Sequence, residues 1–477
     1  MQGKKLTVFQ MNDSHGYLEP HPELFWSGEH AEYRTAGGYA RIASLMREGG
    51  RDDHVLAFDC GDTLLGTYVA AKTGGRALIP ILNRLDFDAM TAHWEFALGP
   101  EQFHSLAREL KYPVLAINCY EKETGSLAFP PFTMLEKNGL LIGVIGIASN
   151  IVDKVMPASF SQGLRFTLGR SELPEYVRQL RRERADLIIV LSHLGFPQDV
   201  KLAGEANGVD LWLSGHTHNR LRKPAHVNGT LLIQSGCHGS FLGRIDLEIE
   251  KGKVRLLKHR LLDVSEDVRP CREVEELVNR QMQPHRDHLE TVVGETKTAL
   301  NRNTMLESTM DNFLLHSLID LTGSDVAFSN GWRFGAPVPA GSVTMNDLYN
   351  IIPMNPPVST AVLTGREIRQ MMEENLERTF SRDPYEQMGG YVKRFLGMNV
   401  YFKIENPPGN RIQEVFVRGR RMQPEARYSA AFVTTQGVPE HYGIGKEDLQ
   451  VRALEAMQRL LMKGSAHADL RGSAVAV

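Results

Sequence analysis

Short runs of apolar and β-branched residues recur through the first half of the chain, with helical segments between them. This alternation over residues 4 to about 262 is typical of an α/β domain. A β-hairpin, GRIDLEIEKGKVRLLKHRLLDV, turns at EKGK and predicts that the domain closes with antiparallel strands. The other strand candidates are KLTVFQM, HVLAFDC, PVLAINC, LIGVIGIA, DLIIVLS, DLWLSG and TLLIQSG.

A change of composition at Ser265 divides the chain. The polar helical stretch EDVRPCREVEELVNRQMQPHRDHLETVV predicts a linker helix broken near Pro270 and Pro284, and a second α/β unit follows it. We therefore predict a first domain, a linker helix, a second domain and a flexible tail over residues 1–262, 263–292, 293–463 and 464–477.

The overall composition is that of a globular protein. The 477 residues include 54 basic and 57 acidic side chains, so the net charge of −3 indicates neither a nucleic-acid duplex nor a membrane surface as a partner. The basic run RQLRRER favours a solvated helix face over a nucleic-acid patch. No stretch has the apolar length that a bilayer needs, and MQGKKLTVFQ runs directly into a strand, so we expect a cytoplasmic protein. The oligomeric state is not indicated.

Acidic and histidine residues stand at the ends of five short segments, LTVFQMND, LAFDCGD, DAMTAH, IIVLSH and LWLSGHTH. In an open α/β sheet, ligands bind outside the carboxyl ends of the strands, so these side chains can converge although they span more than two hundred positions. Imidazoles and carboxylates bind Zn²⁺, Mn²⁺ or Fe²⁺, and seven of them suit two ions that share one carboxylate. Each alone is more often a packed or surface residue, but their joint order favours a metal site. The seven are Asp13, His15, Asp62, His93, His193, His216 and His218.

The chain resembles the calcineurin-like metallophosphoesterases of the 5'-nucleotidase family. The resemblance rests on NDSHG, GDTLLGT, SHLG and GHTH in the first half, and on SNGWR, LTGREI and GGYVKRFLGM in the second. It implies an N-terminal four-layer α/β/β/α metallophosphoesterase domain and a C-terminal α/β substrate domain joined by a helical linker. It also implies one ion bound by Asp13, His15, Asp62 and His218, and a second bound by Asp62, His193, His216 and the residue at the family's asparagine.

That asparagine belongs to a block, GNHEFDYG, for which this chain has AHWEFALG. The match places His93 at the asparagine, Trp94 at the family's histidine and Ala97 at its aspartate. An imidazole can replace the amide as a ligand, so we interpret His93 as a metal ligand, with a purely structural histidine as the alternative. Trp94 either packs the wall of the site or stacks on substrate, because an indole N–H cannot carry a proton to a leaving alkoxide.

The chemistry that these residues predict depends on the metals. Two ions about 4 Å apart would lower the pKa of a bridging water at Asp62 and neutralise the charge that develops on a phosphoryl group. Manganese, zinc, iron and cobalt all suit such a site. Without the family's histidine and aspartate, we expect anhydrides or activated esters to be better substrates than AMP, unless a group such as His238 supplies the proton.

Four residues of the second half are candidate substrate contacts. Asn330 and Arg333 match a loop that binds substrate in the family, and an arginine fork suits phosphate or carboxylate, although an ordinary surface arginine is the alternative. Tyr391 and Tyr442 are the nearest matches to the family's aromatic clamp. The segment QGVPEHYG lacks the family's GGD, so a generic buried tyrosine is the alternative for Tyr442.

These observations support a divalent-metal-dependent phosphoesterase that hydrolyses nucleotides or nucleotide-like anhydrides. The alternative is a nucleotide-binding metalloprotein with weak or lost turnover, favoured by the replacements at Trp94 and Ala97. A phosphodiesterase or nucleotide-sugar hydrolase of the same family is a third possibility, which its products would distinguish.

Overall fold

The computed structural model describes residues 3–50, 52–250, 252–389 and 391–477, and the chain forms two compact units. The first unit contains the chain up to His21 and Thr35–Pro284, and the second contains Pro22–Arg34 and His285–Val477. The change from one unit to the other at Pro284 lies within the segment predicted as a linker.

The strands up to residue 263 are β1 (Lys4–Met11), β2 (His21–Ser27), β3 (His30–Ala36), β4 (Val55–Asp59), β5 (Ala89–Met90), β6 (Cys119–Glu121), β7 (Phe132–Lys137), β8 (Leu140–Ile147), β9 (Leu164–Phe166), β10 (Leu187–Ser192), β11 (Leu211–Ser214), β12 (Ala225–Val227), β13 (Thr230–Ile233), β14 (Phe241–Glu250) and β15 (Lys253–Asp263). The helices of the first unit are α1 (Tyr39–Arg47), α2 (Tyr68–Lys72), α3 (Ile79–Leu82), α4 (Pro100–Glu109), α5 (Val152–Val155), α6 (Leu173–Arg182), α7 (Phe196–Glu205) and α8 (Arg272–Met282).

Two large sheets form the centre of the first unit. One has the strand order β15-β14-β1-β4-β5, and the other has the order β12-β13-β11-β10-β8-β7. Strands β1, β4 and β5 are parallel, as are β13, β11, β10 and β8. Apolar side chains of both sheets, among them Val8, Phe58, Val144 and Leu213, form one buried cluster, so the sheets pack face to face. The sheets and their helices form the mixed α/β fold that the sequence predicts.

One of the predicted strands does not form in the structure. The segment PVLAINC does not form a ladder, although Cys119 begins the short strand β6. The N–H of Leu115 donates to the Met90 oxygen at 2.8 Å, and that of Ile117 donates to the Gly146 oxygen at 2.8 Å. Because Met90 and Gly146 belong to different sheets, the segment bridges the two sheets and cannot pair continuously with either.

The second unit has its own sheets. Its further strands are β16 (Val292–Thr296), β17 (Val326–Ser329), β18 (Gly341–Thr344), β19 (Pro357–Thr364), β20 (Arg394–Leu396), β21 (Met398–Phe402), β22 (Ile412–Val417), β23 (Arg420–Arg421), β24 (Arg427–Val433), β25 (Ile444–Arg452) and β26 (Ala474–Ala476). Its helices are α9 (Arg286–Leu289), α10 (Thr309–Thr322), α11 (Met345–Ile351), α12 (Gly365–Phe380), α13 (Thr434–Gly437) and α14 (Ala453–Met462). The main sheet has the order β20-β17-β24-β19-β25, and a second sheet has the order β23-β22-β21-β26.

Helix α12 shows how local sequence fixes this unit. Thr364 and Glu367 form a capping box, in which each side chain accepts a hydrogen bond from the other residue's backbone N–H. The methionines of the helix, Met371 and Met372, are buried in the core with Phe328 and Phe395.

The last residues differ from the flexible tail that the sequence predicts. Strand β26 pairs in parallel with β21, and the Glu307 carboxylate accepts hydrogen bonds from the N–H groups of Arg471 and Ser473. Strand β26 has only three residues, too few for a pattern that the sequence could show, and the Glu307 carboxylate that anchors this segment is distant in sequence. Among the helices that the structure describes, none has the length and apolar character needed to cross a bilayer.

Candidate active site

The structure brings all seven predicted metal ligands together at one edge of the first unit. Each follows a strand: Asp13 and His15 follow β1, Asp62 follows β4, and His93 follows β5. His193 follows β10, while His216 and His218 follow β11. Carboxyl ends of parallel strands meet at the same edge, so residues that are far apart in sequence become neighbours in space.

Four of the seven form one group. The ligand atoms of Asp62, His93, His193 and His216 all lie within 4.8 Å of one another. The Oδ1 atom of Asp62 lies 3.2 Å from Nδ1 of His93, and its Oδ2 atom lies 3.3 Å from Nε2 of His193.

The other three ligands form a neighbouring group. The ligand atoms of Asp13, His15 and His218 also lie within 4.8 Å of one another. Nε2 of His218 lies 3.2 Å from Oδ1 of Asp13 and 3.3 Å from Nε2 of His15. Nε2 of His15 lies 3.8 Å from Oδ2 of Asp62, so the Asp62 carboxylate stands between the two groups.

The backbone at these ligands is strained. Five of the seven have a positive φ, in the left-handed region that residues other than glycine seldom adopt, at a cost on the order of 1 kcal/mol each. Such conformations persist where surrounding structure fixes them, and the N–H groups of Asp13 and His15 are fixed by the oxygens of Gly61 and Asp62 at 2.9 and 2.7 Å. The five are Asp13 (52°), His15 (50°), Asp62 (58°), His216 (76°) and His218 (58°).

The site is buried, so its carboxylates depend on nearby positive charge to stay ionised. Burial raises the pKa of the Asp62 carboxyl, but His93 and His193 outweigh burial and hold that pKa well below its usual range. Burial lowers the pKa of His193, yet Asp62 and Asp13 together raise it to about 10. The carboxylates and the His193 imidazole therefore stabilise opposite charges on each other.

The side chains present fit divalent metal ions. Both rings are buried, and within the described residues neither nitrogen of His93 nor Nε2 of His193 makes a well-directed hydrogen bond, although one nitrogen of each ring lies close to the Asp62 carboxylate. Nδ1 of His193 contacts the Cys60 oxygen at 2.5 Å, which leaves Nε2 directed at the two carboxylates. Buried polar atoms without a hydrogen bond are rare, and a metal ion would satisfy these three.

The segment around His93 shows what the unusual AHWEF block does. A turn of 3₁₀ helix over Trp94–Leu98 begins directly after His93. The backbone N–H of Trp94 donates to Oδ1 of Asp62 at 2.7 Å, and its ring meets the His15 ring edge-on, with centroids 6.0 Å apart. Trp94 therefore orients a candidate metal ligand, Asp62, through its backbone and forms part of the wall of the site.

Glu95 is a functional residue that the sequence reasoning did not single out. Its buried carboxylate accepts hydrogen bonds from the N–H groups of Thr63 and His93 at 2.6 and 2.8 Å, and of Asp62 and Leu64 at 3.3 and 3.2 Å. It thus ties the loop that carries Asp62 to the loop that carries His93. A glutamate two positions after a candidate ligand was the signal available.

Three of the predicted substrate contacts lie together in the second unit. The Asn330 amide donates to the Tyr391 hydroxyl at 3.2 Å, and the Arg333 guanidinium lies over the Tyr391 ring, 5.0 Å from its centroid. Asn330 also donates to Oε1 of Gln436 at 3.2 Å, a residue that the sequence reasoning did not identify. Asn330 and Gln436 follow β17 and β24, which are parallel neighbours, so this cluster too stands at carboxyl ends of strands.

The structure corrects the prediction that Tyr442 belongs to an aromatic clamp. Only 2% of its surface is exposed, its ring belongs to the hydrophobic core, and its hydroxyl donates to Glu374 at 2.6 Å. A ring enclosed in this way has no free face for a base, so the structure supports the alternative of a buried core tyrosine over a clamp residue.

Comparison with known proteins agrees with this architecture. Residues 291–436 match the family model of the 5'-nucleotidase C-terminal domain. The Trifunctional nucleotide phosphoesterase protein YfkN of Bacillus subtilis is 25% identical over 86% of this chain, which spans only 30% of the length of that protein. The sulfate thiohydrolase SoxB of Thermus thermophilus superimposes with a TM-score of 0.92 and 26% identity, covering 100% of this chain and 97% of that one. A 5'-nucleotidase precursor from the same organism has a TM-score of 0.86 and 24% identity, with 99% of each chain covered.

The fold and the ligand cluster define a two-domain metallophosphoesterase architecture, in which strand ends of two packed sheets present histidines and aspartates. The match over residues 291–436 adds the second domain of one family. Residues 291–436 therefore form a 5'-nucleotidase C-terminal domain, and the chain as a whole resembles proteins of that family.

Proposed function

We propose that this protein is a divalent-metal-dependent phosphoesterase that binds two ions and hydrolyses nucleotides or nucleotide-like phosphoanhydrides. Asp62 would contact both ions. Asp13, His15 and His218 would complete one ligand set, while His93, His193 and His216 would complete the other. When bound, the ions supply an activated water and neutralise charge on the phosphoryl group.

The observation that carries this proposal is the convergence of seven ligand-type side chains, all buried except the partly buried His218, into two groups with one carboxylate between them. Their separation in sequence is large, and their shared position at strand ends is what a catalytic site in an α/β domain requires. A module that only binds nucleotide has no need for this arrangement.

Trp94 shapes the expected substrate range. Its indole can donate a hydrogen bond but cannot deliver a proton to a departing alkoxide, and Ala97 offers no carboxylate to orient such a donor. A phosphate or a nitrophenolate leaves without a proton, whereas the 5'-alkoxide of a nucleoside needs one. We therefore infer a preference for anhydrides and activated esters over AMP.

The test is the ratio of kcat/KM for p-nitrophenyl phosphate to kcat/KM for AMP. It is measured on Mn²⁺-loaded protein, with Asp62→Asn as the blank. The expected ratio is far above one and disappears in the blank. A ratio near one would contradict the inferred role of Trp94, because it would require a proton donor from elsewhere. Activity on neither substrate, with nucleotide binding retained, would support the alternative of a nucleotide-binding metalloprotein.

A second candidate activity, sulfate thiohydrolysis, follows from one comparison. SoxB of Thermus thermophilus is a sulfate thiohydrolase and matches the whole of this chain with a TM-score of 0.92. A thiol has a pKa of about 8.5, so a thiolate also leaves without general acid help, which suits a site that carries Trp94. Sulfate release from cysteine S-sulfonate by the Mn²⁺-loaded protein, absent in Asp62→Asn, would support this activity over phosphoester hydrolysis.

A cytoplasmic location stays a prediction from the sequence. Fractionation of the cells that make the protein is expected to recover it with cytosolic enzymes. Release by osmotic shock together with periplasmic enzymes would contradict the prediction.

A further inference from the structure

A further set of ligand-type side chains lies beside His218. Cys237 and His238 follow β13 in the segment QSGCHGS, and their ligand atoms lie within 4.8 Å of each other and of a ring nitrogen of His218. Sγ of Cys237 lies 3.5 Å from Nδ1 of His238, and both residues are buried. His218 thus belongs to two groups at once, one with Asp13 and His15 and one with this pair.

Backbone hydrogen bonds fix the segment that carries the pair. The N–H of His238 donates to the Asp13 oxygen at 2.7 Å, and the Asn12 amide donates to the Gly236 oxygen at 2.7 Å. The N–H of Gly236 donates to the Asn219 oxygen at 2.9 Å, next to His218. These three hydrogen bonds to the loops after β1 and β11 hold Cys237 and His238 beside His218. The segment QSGCHGS therefore needs no rearrangement to present the pair.

The chemistry of this donor set differs from that of the seven ligands described above. A thiolate with two imidazoles favours thiophilic cations such as Zn²⁺, whereas nitrogen and oxygen donors also accept Mn²⁺. We propose that His218, Cys237 and His238 form a third metal position, selective for Zn²⁺ over Mn²⁺. Filling it withdraws His218 from Asp13 and His15. This inference rests on the proposed function in taking the Asp13 group as a metal site.

Cobalt titration tests the position without any need for turnover. Thiolate-bound Co²⁺ has a strong near-ultraviolet charge-transfer absorption that nitrogen and oxygen sites lack. Metal-free protein titrated with Co²⁺ is expected to show this band, and Zn²⁺ but not Mn²⁺ is expected to remove it. Cys237→Ser and Cys237→Ala should both lack the band, so a folding defect in one variant does not decide the result.

Cys60→Ser is the matched control. Cys60 is also buried near the ligands, but its Sγ contacts Gln10 and the Leu213 oxygen, each at 3.5 Å, and belongs to no group of three ligand atoms in the described chain. This variant should keep the band. A spectrum without the band, or a band that survives in both Cys237 variants, would overturn the proposal.

Metal exchange tests the competition for His218. Protein loaded with Mn²⁺ is exposed to Zn²⁺, and the released Mn²⁺ is measured by mass spectrometry of the metals. Wild type is expected to release Mn²⁺ at Zn²⁺ concentrations at least about 10-fold lower than Cys237→Ser does. Equal release curves would refute the withdrawal of His218. Hydrolysis without the cobalt band would leave the proposed function intact and refute only this inference. The band without hydrolysis would leave this inference intact and contradict the proposed function.

Discussion

At the scale of single residues, the position of Trp94 decides what the catalytic site can do. Its backbone N–H donates to Asp62, a contact that any residue except proline can make, while its side chain stands where the resemblance places the family's histidine. Ala97 lies three residues on in the same turn of 3₁₀ helix, where side chains at i and i+3 stand one above the other. A histidine at position 94 and an aspartate at position 97 would therefore lie next to each other.

The double substitution Trp94→His with Ala97→Asp is expected to raise kcat for AMP by about 10²-fold, because it supplies an oriented proton donor for the alkoxide. The rate with p-nitrophenyl phosphate should change little, since nitrophenolate leaves unaided. Steady-state kinetics of both substrates measures the effect, and Trp94→Phe, which adds no donor, is the control. Equal gains on the two substrates would show that the substitution acts on something other than the leaving group.

Lys393 provides a pH-dependent test in the second unit. Its buried ammonium donates to the oxygens of Gln436 and Gly437, next to the cluster around Asn330. Burial and the nearby Arg378 lower the pKa of Lys393 to about 7, although Glu374 opposes this shift. Between pH 7 and the value for an unfolded lysine, the unfolded chain binds more protons than the folded chain, so stability rises with pH in that window.

Lys393→Met removes this titration. We expect the free energy of unfolding of wild type, relative to the variant, to increase by on the order of a few kcal/mol as the pH rises from 7 to 10. Urea unfolding at four pH values measures this difference. Lys403→Met, at an exposed lysine, should follow wild type at every pH. Profiles for wild type and Lys393→Met that run parallel would contradict the assignment.

Residue types could be predicted from the sequence where chemistry restricts the choice. The seven ligand candidates follow from acidic and histidine residues at strand ends, and the structure places them in two neighbouring groups. Tyr442 and Glu95 show the limit of this reasoning. Whether a tyrosine faces a ligand or the core depends on burial by distant elements. The role of Glu95 depends on backbone N–H groups of a separate loop, which its spacing from His93 does not reveal.

At the scale of elements, the loops after β4 and β5 act as one piece because Glu95 joins them. Oε1 of Glu95 accepts from Thr63 and Leu64, and Oε2 accepts from Asp62 and His93, so both oxygens face backbone N–H groups. An amide in place of the carboxylate would direct its own N–H group at these donors. The site therefore depends on a carboxylate that contacts no substrate.

Glu95→Gln is expected to lower the free energy of unfolding by about 2 to 4 kcal/mol, because two of the four N–H donors lose their acceptor and the other two keep only a neutral one. It should also weaken Mn²⁺ binding by about 10- to 100-fold, since Asp62 and His93 lose their fixed positions. Urea unfolding and calorimetric titration with Mn²⁺ measure the two effects. Glu123→Gln, in an exposed loop, is the control and should change neither. Loss of stability with unchanged Mn²⁺ affinity would refute the positioning role.

Elements with a strong period were predicted well and short paired segments were not. The hairpin of β14 and β15, and the strands β1, β8 and β10, have long apolar patterns that indicate them directly. The hairpin of β2 and β3 was not predicted, and PVLAINC, which has an apolar pattern, bonds to two sheets in turn. Pairing partners of short segments are set by the whole fold, which a local window of sequence does not contain.

At the scale of the whole molecule, metal binding should stabilise the first unit alone. All seven candidate ligands belong to that unit. A ligand that binds only the folded state at 100 times its Kd stabilises by about 2.7 kcal/mol. Metal binding should therefore leave the local stability of the second unit unchanged.

Hydrogen exchange with mass spectrometry distinguishes the two units. Adding Mn²⁺ to metal-free protein should increase protection in peptides from β10 and β11, which end at the ligands, by roughly the factor of 100 that 2.7 kcal/mol implies. Peptides from β17 and β24 should exchange at the same rate with and without Mn²⁺. Asp62→Asn should lose most of the gain, because the carboxylate between the two ligand groups becomes neutral. An equal gain in both units would mean that metal binding stabilises the chain as one cooperative structure, contrary to this prediction.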